Sequence, residues 1–310
     1  MKKLIIILVA SLVAVSCNNS GSSKTARNKN VTLTAAGATF PLPFYNLAFK
    51  KYAEATGVTV NYGGIGSGGG IKSLRDKVVD FGATDAFLSD EEMLSMSAPV
   101  VHVPTCIGGV VLGYNIPGVT GLKLTPEVIE GIFLGDITKW NDDKIASINK
   151  GISLPDMKIT VVYRSDGSGT TYIFSDYMTR AGKTWATKIG TGKSLNWPVG
   201  IAAKGNPGVA GTISQSAGTI GYIGYEFAVA QKIPVAAIAN KSGNFIEPNL
   251  ETLTAAAATE IPSDTRIMLT NSSNPQAYPI TSFTWIILYK EQSYDNHNQA
   301  NAEATVMAVK

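Results

Sequence analysis

The sequence predicts an α/β fold with a mixed or parallel sheet, because short β-branched runs alternate with segments of helical period. The strand-like runs are residues 58–62, 81–84, 110–116, 159–162, 220–225 and 284–289. The helical segments are residues 42–55, 125–134, 170–178, 254–258 and 302–310. A chain of 310 residues can bury a substantial core and is long enough for two domains.

The first 16 residues are typical of a secretory signal peptide. Lys2 and Lys3 precede an apolar run, residues 4–15, that is too short to span a membrane. The run ends in Ala14-Val15-Ser16-Cys17, which resembles a bacterial lipoprotein processing site, where Cys17 would become the lipidated first residue. Ordinary signal-peptide cleavage nearby is the alternative. Residues 17–30 are then expected to be the lipidated cysteine and a flexible, polar tether, so that the protein is a membrane-anchored lipoprotein of the periplasm or cell surface.

Charge and cysteine content limit the partners and the cross-links of the mature protein. Removal of residues 1–16 takes away two lysines and no acidic residue, so the formal net charge falls from +3 to +1. A nearly neutral protein argues against nucleic acid as a partner, and any anion site must be made locally. If Cys17 is lipidated, Cys106 is the remaining thiol and no disulfide forms within the chain.

Two small, polar turns follow strand-like runs in the first third of the chain. Residues 35–41 lead into the helical segment 42–55; Pro41 suits a first helical turn, so Thr39 and the N–H of Phe40 lie where unpaired N–H groups collect. Residues 63–70 form a Gly-rich turn around Ser67, ahead of an expected helix at residues 71–77. Each turn offers main-chain and hydroxyl donors to an anion.

The turn at residues 163–171 gives the strongest signal of this kind. It follows the run 159–162 and opens a helix, so that its N–H groups and hydroxyls lie at the positive end of a helix dipole. Arg164 adds a planar fork that can hold two oxoanion oxygens, and Asp166 can orient that fork. A capped helix start is the alternative for any single turn. Three such turns are better explained by convergence on one anion.

Asp85 follows the strand-like run 81–84, at the edge of the sheet where open α/β folds place ligand contacts. A helix cap or turn acid is the alternative. An acid that faces a bound anion has a specific use, because phosphate near neutral pH carries a proton that a carboxylate accepts, whereas sulfate carries none. Asp85 would therefore reject sulfate by leaving two acceptors unpaired against each other.

Two other functions compete with anion binding. The run Gly64-Ile65-Gly66-Ser67-Gly68-Gly69 satisfies the dinucleotide-binding pattern after a strand, with Asp85 as a candidate ribose ligand. A secreted phosphoester hydrolase with a serine in a Gly-rich loop is the second alternative, although neither Ser67 nor Ser168 lies in a G-x-S-x-G motif.

The histidine content argues against both a metal site and general-base catalysis. His297 lies in a polar stretch and is expected on the solvated surface; His102 is expected in a strand or crossover. No His, Cys and Asp spacing indicates a metal site, and we expect no cofactor and no enzymatic activity.

Taken together, these motifs resemble those of the periplasmic phosphate-binding protein of the bacterial high-affinity ABC phosphate transporter. The resemblance covers roughly residues 31–290. It rests first on the segments 37–41, 65–70, 80–85 and 164–170. Further similarity lies in 108–112, 139–140, 205–211, 218–222 and 278–282.

The resemblance implies a role for each matching residue. It implies phosphate donors in both early turns and at the helix start, with Asp85 as acceptor of the phosphate proton and Asp166 as the residue that orients Arg164. The implied ligand-binding residues are Thr39, Phe40, Ser67, Asp85, Arg164, Ser168, Gly169 and Thr170.

The resemblance also implies a two-lobe periplasmic-binding-protein fold, with a hinge and a ligand cleft between the lobes. Lobe I would comprise residues 31–105 plus 280–310, and lobe II residues 106–279, with chain crossings near Thr105 and Ile280. Family members continue past the position of Lys310 with helices that finish the first lobe, so lobe I is expected to be truncated or completed otherwise. The implied partners are inorganic phosphate and the transmembrane subunits of an ABC permease, and the protein is expected to be a monomer.

Overall fold

The computed structural model describes residues 31–294 and 297–310. The strands are β1 (Thr32–Gly37), β2 (Thr59–Gly64), β3 (Phe81–Thr84), β4 (Val100–Tyr114), β5 (Lys123–Leu124), β6 (Thr160–Arg164), β7 (Ile201–Ala203), β8 (Thr219–Gly224), β9 (Ala237–Ala239), β10 (Phe245–Ile246) and β11 (Thr281–Tyr289). The helices are α1 (Leu42–Thr56), α2 (Ser67–Arg75), α3 (Asp90–Leu94), α4 (Pro126–Leu134), α5 (Asp143–Ala146), α6 (Gly169–Ala181), α7 (Trp185–Lys188), α8 (Gly205–Gln215), α9 (Tyr225–Gln231), α10 (Leu250–Ala256) and α11 (Gln299–Ala308).

The predicted signal peptide, Cys17 and the tether lie outside the described residues. Within the described ranges, no helix combines the length and the apolar character needed to cross a bilayer.

The main sheet has the strand order β2-β1-β3-β11-β4-β8-β6-β7, and strand β4 joins its two halves. Residues 100–109 of β4 pair with antiparallel β11, and residues 110–114 pair with antiparallel β8. In the first half, β1 is parallel to β2 and β3. In the second half, β6 is parallel to β7 and β8. The carboxyl ends of both parallel sets lead into helix starts, which is where open α/β sheets bind ligands.

A β-bulge interrupts the pairing of the two long strands. Thr284 of β11 pairs with Cys106, and Trp285 pairs with Pro104, so Thr105 is the extra residue on β4. The hydroxyl of Thr105 donates to the carbonyl oxygen of Thr284 over 3.1 Å and also lies 2.8 Å from the hydroxyl of Tyr45. These bonds satisfy the polar groups at the irregularity.

Buried apolar side chains pack on both faces of the first half and throughout the second half. One cluster joins Leu33 and Phe81 to Ala304 of α11, so the last helix packs on the first half. A second cluster includes Leu74, Trp285, Leu269 and Ala277, of which the last two belong to the predicted lobe II. The largest cluster fills the second half around Trp140, Phe174 and Tyr222.

The predicted alternation of strands and helices is present, with three informative differences. β3 has the predicted bounds, but β4 begins ten residues before the predicted run 110–116. α2 begins at Ser67, inside the predicted Gly-rich turn. The helix can pack against β1 because residue 70 is glycine, since a Cβ there would lie 2.5 Å from the Cα of Gly37. Pro41 is the residue before α1, and it is Pro43 that lies in the first helical turn.

The prediction that His297 is a solvated surface residue is wrong. Its side chain is 3% exposed, and its ring stacks on Tyr294 with the centroids 4.5 Å apart. Its Nε2 atom lies 3.0 Å from Oδ1 of Asp80, and its Nδ1 atom lies 2.9 Å from the carbonyl oxygen of Gln292. The polar neighbours of His297 in sequence hide a contact with an acid more than 200 residues earlier. His102 lies in β4 as expected.

Candidate functional site

The predicted turns 63–70 and 163–171 meet between the two halves of the sheet. From the first half, Gly68 donates its N–H to the carbonyl oxygen of Gly167 over 2.9 Å. A Cβ on Gly66 would lie 2.4 Å from Oδ2 of Asp166. A Cβ on Gly169 would lie 2.4 Å from Oγ of Ser67 and 2.6 Å from Cβ of Asp85. The halves approach so closely here that only glycine fits.

The starts of four helices surround this contact. α1, α2, α6 and α8 begin at Leu42, Ser67, Gly169 and Gly205, each directly after a turn that follows a strand of the sheet. Helix starts carry unpaired N–H groups and a positive partial charge. The arrangement therefore favours an anion between the halves.

Arg164 is the buried cation of the site. Its side chain is 1% exposed and forms a two-pronged ion pair with Asp166, with Nε 2.7 Å from Oδ1 and Nη2 2.5 Å from Oδ2. Asp166 also accepts the N–H of Gly205 over 3.0 Å. Burial raises the pKa of Asp166, but the hydrogen bonds and charge of Arg164 outweigh burial, and the net pKa is below its usual value. Asp166 is therefore ionised and holds the guanidinium plane in one orientation.

Asp85 is an acid buried beside this cation, with 1% of its surface exposed. Its Oδ1 accepts the hydroxyl of Thr284 over 2.8 Å, and its Oδ2 lies 3.4 Å from Oγ of Ser67. Burial raises the pKa of Asp85 to about 7, although Thr284, the charge of Arg164 and Ser67 lower it; the charge of Glu226 raises it further. Asp85 can thus gain or lose a proton near neutral pH.

Thr39 and Thr170 bring one hydroxyl from each half, and Asn206 lies between them. Nδ2 of Asn206 donates to Oγ1 of Thr39 over 2.9 Å and to Oγ1 of Thr170 over 3.0 Å. The main-chain N–H of Asn206 also donates to Thr39, over 3.1 Å, and Nη1 of Arg164 donates to Thr170 over 3.3 Å. All four residues are buried.

Main-chain donors complete the site. The N–H groups of Phe40, Ser67, Gly169 and Thr170 form no hydrogen bond with another described residue. Ser168 differs, because its N–H donates to the carbonyl oxygen of Lys193 over 2.8 Å and its Oγ accepts the N–H of Thr171 over 3.0 Å. Its hydroxyl proton is the donor that Ser168 can offer. Buried N–H groups are rarely unpaired, so four of them at one place indicate a ligand site.

The structure brings the predicted ligand residues and Asp166 into one cluster, and it adds two residues that sequence reasoning missed. Asn206 lies in the segment 205–211, which carries part of the family resemblance but has the Gly and Pro content of a loop. Thr284 begins the predicted strand 284–289, where no sequence signal relates it to an acid 199 residues away.

The geometry weakens both alternative functions. Against a dinucleotide, the turn at Gly66 and Gly68 is covered by Asp166 and Gly167 of the second half, where a pyrophosphate would have to lie. Against a hydrolase, the imidazole of His102 is engaged elsewhere, because its Nε2 accepts the N–H of Leu88 over 3.0 Å.

Comparisons with known proteins show which family the chain resembles. A sequence model of the PBP superfamily domain matches residues 22–308. The protein named Phosphate-binding protein PstS in Pasteurella multocida (strain Pm70) is 42% identical over 264 residues, which are 84% of this chain and 76% of that protein. Phosphate-binding protein PstS of Xylella fastidiosa (strain Temecula1 / ATCC 700964) is 38% identical over 284 residues, 90% of this chain and 78% of that protein.

A solved structure shares the fold. The phosphate-binding protein from Stenotrophomonas maltophilia matches with a TM-score of 0.65 and 21% sequence identity, over 90% of this chain and 83% of that chain. The predicted α/β fold with two lobes is confirmed by this likeness and by the superfamily match.

Proposed function

This chain belongs to the PBP superfamily and, within it, to the PstS family of phosphate-binding proteins, and we propose that it binds inorganic phosphate outside the cytoplasmic membrane and delivers it to an ABC-type permease for import. The observation that carries the proposal is the convergence of main-chain N–H groups, hydroxyls and Arg164 from both halves around Asp85. The chain acts as a binding protein and not as an enzyme.

One acceptor among many donors suits phosphate. The phosphate oxygens accept hydrogen bonds from Thr39, Phe40, Ser67, Ser168, Gly169 and Thr170. Arg164 supplies the countercharge. Ionised Asp85 accepts the proton that phosphate carries near neutral pH. Sulfate has no such proton, so its oxygen would meet the carboxylate as an unpaired acceptor of like charge.

Binding couples to closure of two lobes. We assign residues 31–105 plus 280–310 to lobe I and residues 106–279 to lobe II, with a hinge near Thr105 and Ile280. Phosphate favours closure because donors from both lobes surround it only in the closed state. The transmembrane subunits of the permease recognise that closed, monomeric form.

The first residues of the chain direct its export across the cytoplasmic membrane. Residues 1–16 act as a signal peptide, and a lipid on Cys17 anchors the protein through the tether. The protein is thus a periplasmic or cell-surface lipoprotein.

Calorimetric titration of the purified full chain with phosphate, sulfate, arsenate and NAD in parallel tests the function. We expect saturable, 1:1 binding of phosphate, no binding of NAD and much weaker binding of sulfate. Incubation with a phosphate ester should give no turnover. Binding of NAD or ester hydrolysis, without phosphate binding, would refute the proposal in favour of one of the two alternatives.

A further inference from the structure

Asn206 holds an amide group whose orientation is settled by its neighbours. Its side chain is fully buried near the start of α8. Oδ1 accepts the N–H of Gly224 over 2.9 Å, so the other end of the amide must be the NH₂ group. The two NH₂ protons then point to Oγ1 of Thr39 and Oγ1 of Thr170, which belong to opposite halves.

The Asn206 amide limits where the two threonine hydroxyls can direct their protons. A hydroxyl has one proton to donate and two lone pairs that accept. Thr39 accepts two protons from Asn206, and Thr170 accepts one from Asn206 and one from Arg164. With both lone pairs occupied, each hydroxyl can form a further bond only as a donor. No described residue accepts a proton from either hydroxyl.

We propose that Asn206 is a positioning residue, which forces the hydroxyls of Thr39 and Thr170 to donate to the bound phosphate. The inference rests on the proposed function and deepens it. The same amide joins the two halves, since it reaches from α8 to the turn before α1. Asn206 therefore couples closure of the cleft to the orientation of two donors.

The substitution Asn206→Asp inverts this arrangement with little change of shape. A carboxylate at this place accepts the Thr39 and Thr170 protons and adds a negative charge beside the anion. We expect at least about 100-fold weaker phosphate binding in Asn206→Asp and at least about tenfold weaker binding in Asn206→Ala, where the hydroxyls are free to turn.

Asn149→Asp is the matched control. The Asn149 side chain is also buried, and its NH₂ group bonds to the carbonyl oxygens of Lys123 and Ile145, away from the site. This variant makes the same chemical change inside the second half, so it can lower the thermal stability but should leave phosphate affinity of the folded protein unchanged.

A double-mutant cycle separates positioning from a structural role. If Asn206 acts through both hydroxyls, then Asn206→Ala should weaken phosphate binding much less in a background that carries Thr39→Val and Thr170→Val than in the wild type. Equal losses in both backgrounds would overturn the inference. The cycle also decides the matter if Asn206→Asp proves unable to fold.

The wild-type titration distinguishes the inference from the function on which it rests. If the wild type binds phosphate and folded Asn206→Asp and Asn206→Ala bind it equally well, positioning by Asn206 is refuted and the function stands. If the wild type does not bind phosphate, both proposals are refuted together.

Discussion

Thr284 donates its hydroxyl proton to Oδ1 of Asp85 over 2.8 Å, and so links the end of β3 to the long strand β11. This bond occupies one carboxylate oxygen and lowers the pKa of Asp85 against the larger, raising effect of burial. Oδ2 is the oxygen that faces the cleft, because a Cβ on Gly169 would lie 2.7 Å from it. Thr284 thus helps to keep an ionised acceptor in the site.

Thr284→Val should move the pH at which the rejection of sulfate is lost to a higher value. The valine side chain keeps the shape and removes the hydrogen bond, so the pKa of Asp85 rises above its wild-type value of about 7. A protonated Asp85 donates instead of accepting, which favours sulfate. As the pH is lowered, the phosphate-to-sulfate affinity ratio should therefore begin to decline at a higher pH in the variant than in the wild type. Calorimetry from roughly pH 5 to roughly pH 9 measures this shift.

Two other variants serve as controls for that experiment. Thr284→Ser retains the hydroxyl and should restore the wild-type pH profile. Thr281→Val makes the same change on the same strand, where the hydroxyl donates to the carbonyl oxygen of Tyr278 over 2.8 Å and not to an acid. An identical profile for Thr284→Val and Thr281→Val would show that the bond to Asp85 has no part in selectivity.

Asp85→Asn should reduce the discrimination between phosphate and sulfate and change the pH dependence of stability. The raised pKa means that the folded, unliganded protein holds a proton on Asp85 between the usual carboxyl range and about pH 7, whereas the unfolded chain has released it. The free energy of unfolding of the wild type therefore falls as pH rises through that window. The variant lacks this contribution. Its free energy of unfolding, measured by denaturant titration, should therefore change less over this pH window than that of the wild type, by up to a few kcal/mol. Parallel profiles for the two proteins would contradict the raised pKa.

The sequence predicted the donor turns of this site better than it predicted their supports. Thr39, Ser67 and Gly169 belong to small, polar turns after strand-like runs, and that local pattern follows from the chemistry of helix starts. Asn206 and Thr284 act over separations of 167 and 199 residues, which no local pattern encodes. α8 escaped prediction because its first turns contain glycine and proline, both poor helix formers.

Arg164→Ala should weaken phosphate binding by at least about 1.5 kcal/mol, because it removes a charge-assisted contact. It also leaves the partly buried Asp166 as a negative charge without its ion-pair partner. Arg266→Ala is the matched control, since Arg266 pairs with Asp264 and Asp90 outside the cleft. Calorimetry of both folded variants gives the comparison. If Arg164→Ala and Arg266→Ala bind phosphate alike, Arg164 does not contact the anion.

Cys17→Ser should release the protein from membranes, because a hydroxyl does not accept the lipid that the proposed anchor requires. We expect the variant in the soluble fraction with unchanged phosphate affinity, since Cys17 precedes the described fold. Metabolic labelling with a radioactive fatty acid, followed by fractionation, measures both the modification and its effect. Continued labelling of the variant would exclude Cys17 as the lipidated residue.

Gly169→Ala should prevent the close approach of the two halves. The added Cβ would lie 2.4 Å from Oγ of Ser67 and 2.6 Å from Cβ of Asp85, distances that force the halves apart. We expect phosphate affinity to fall at least about tenfold, and solution scattering with phosphate should give a larger radius of gyration than the wild type. Gly211→Ala is the matched control, because it also adds a methyl group to a helix but meets nothing within 4 Å. It should bind normally and gain up to about 1 kcal/mol of stability. Wild-type affinity in Gly169→Ala would mean that phosphate is bound without the contact between Gly169 and Asp85.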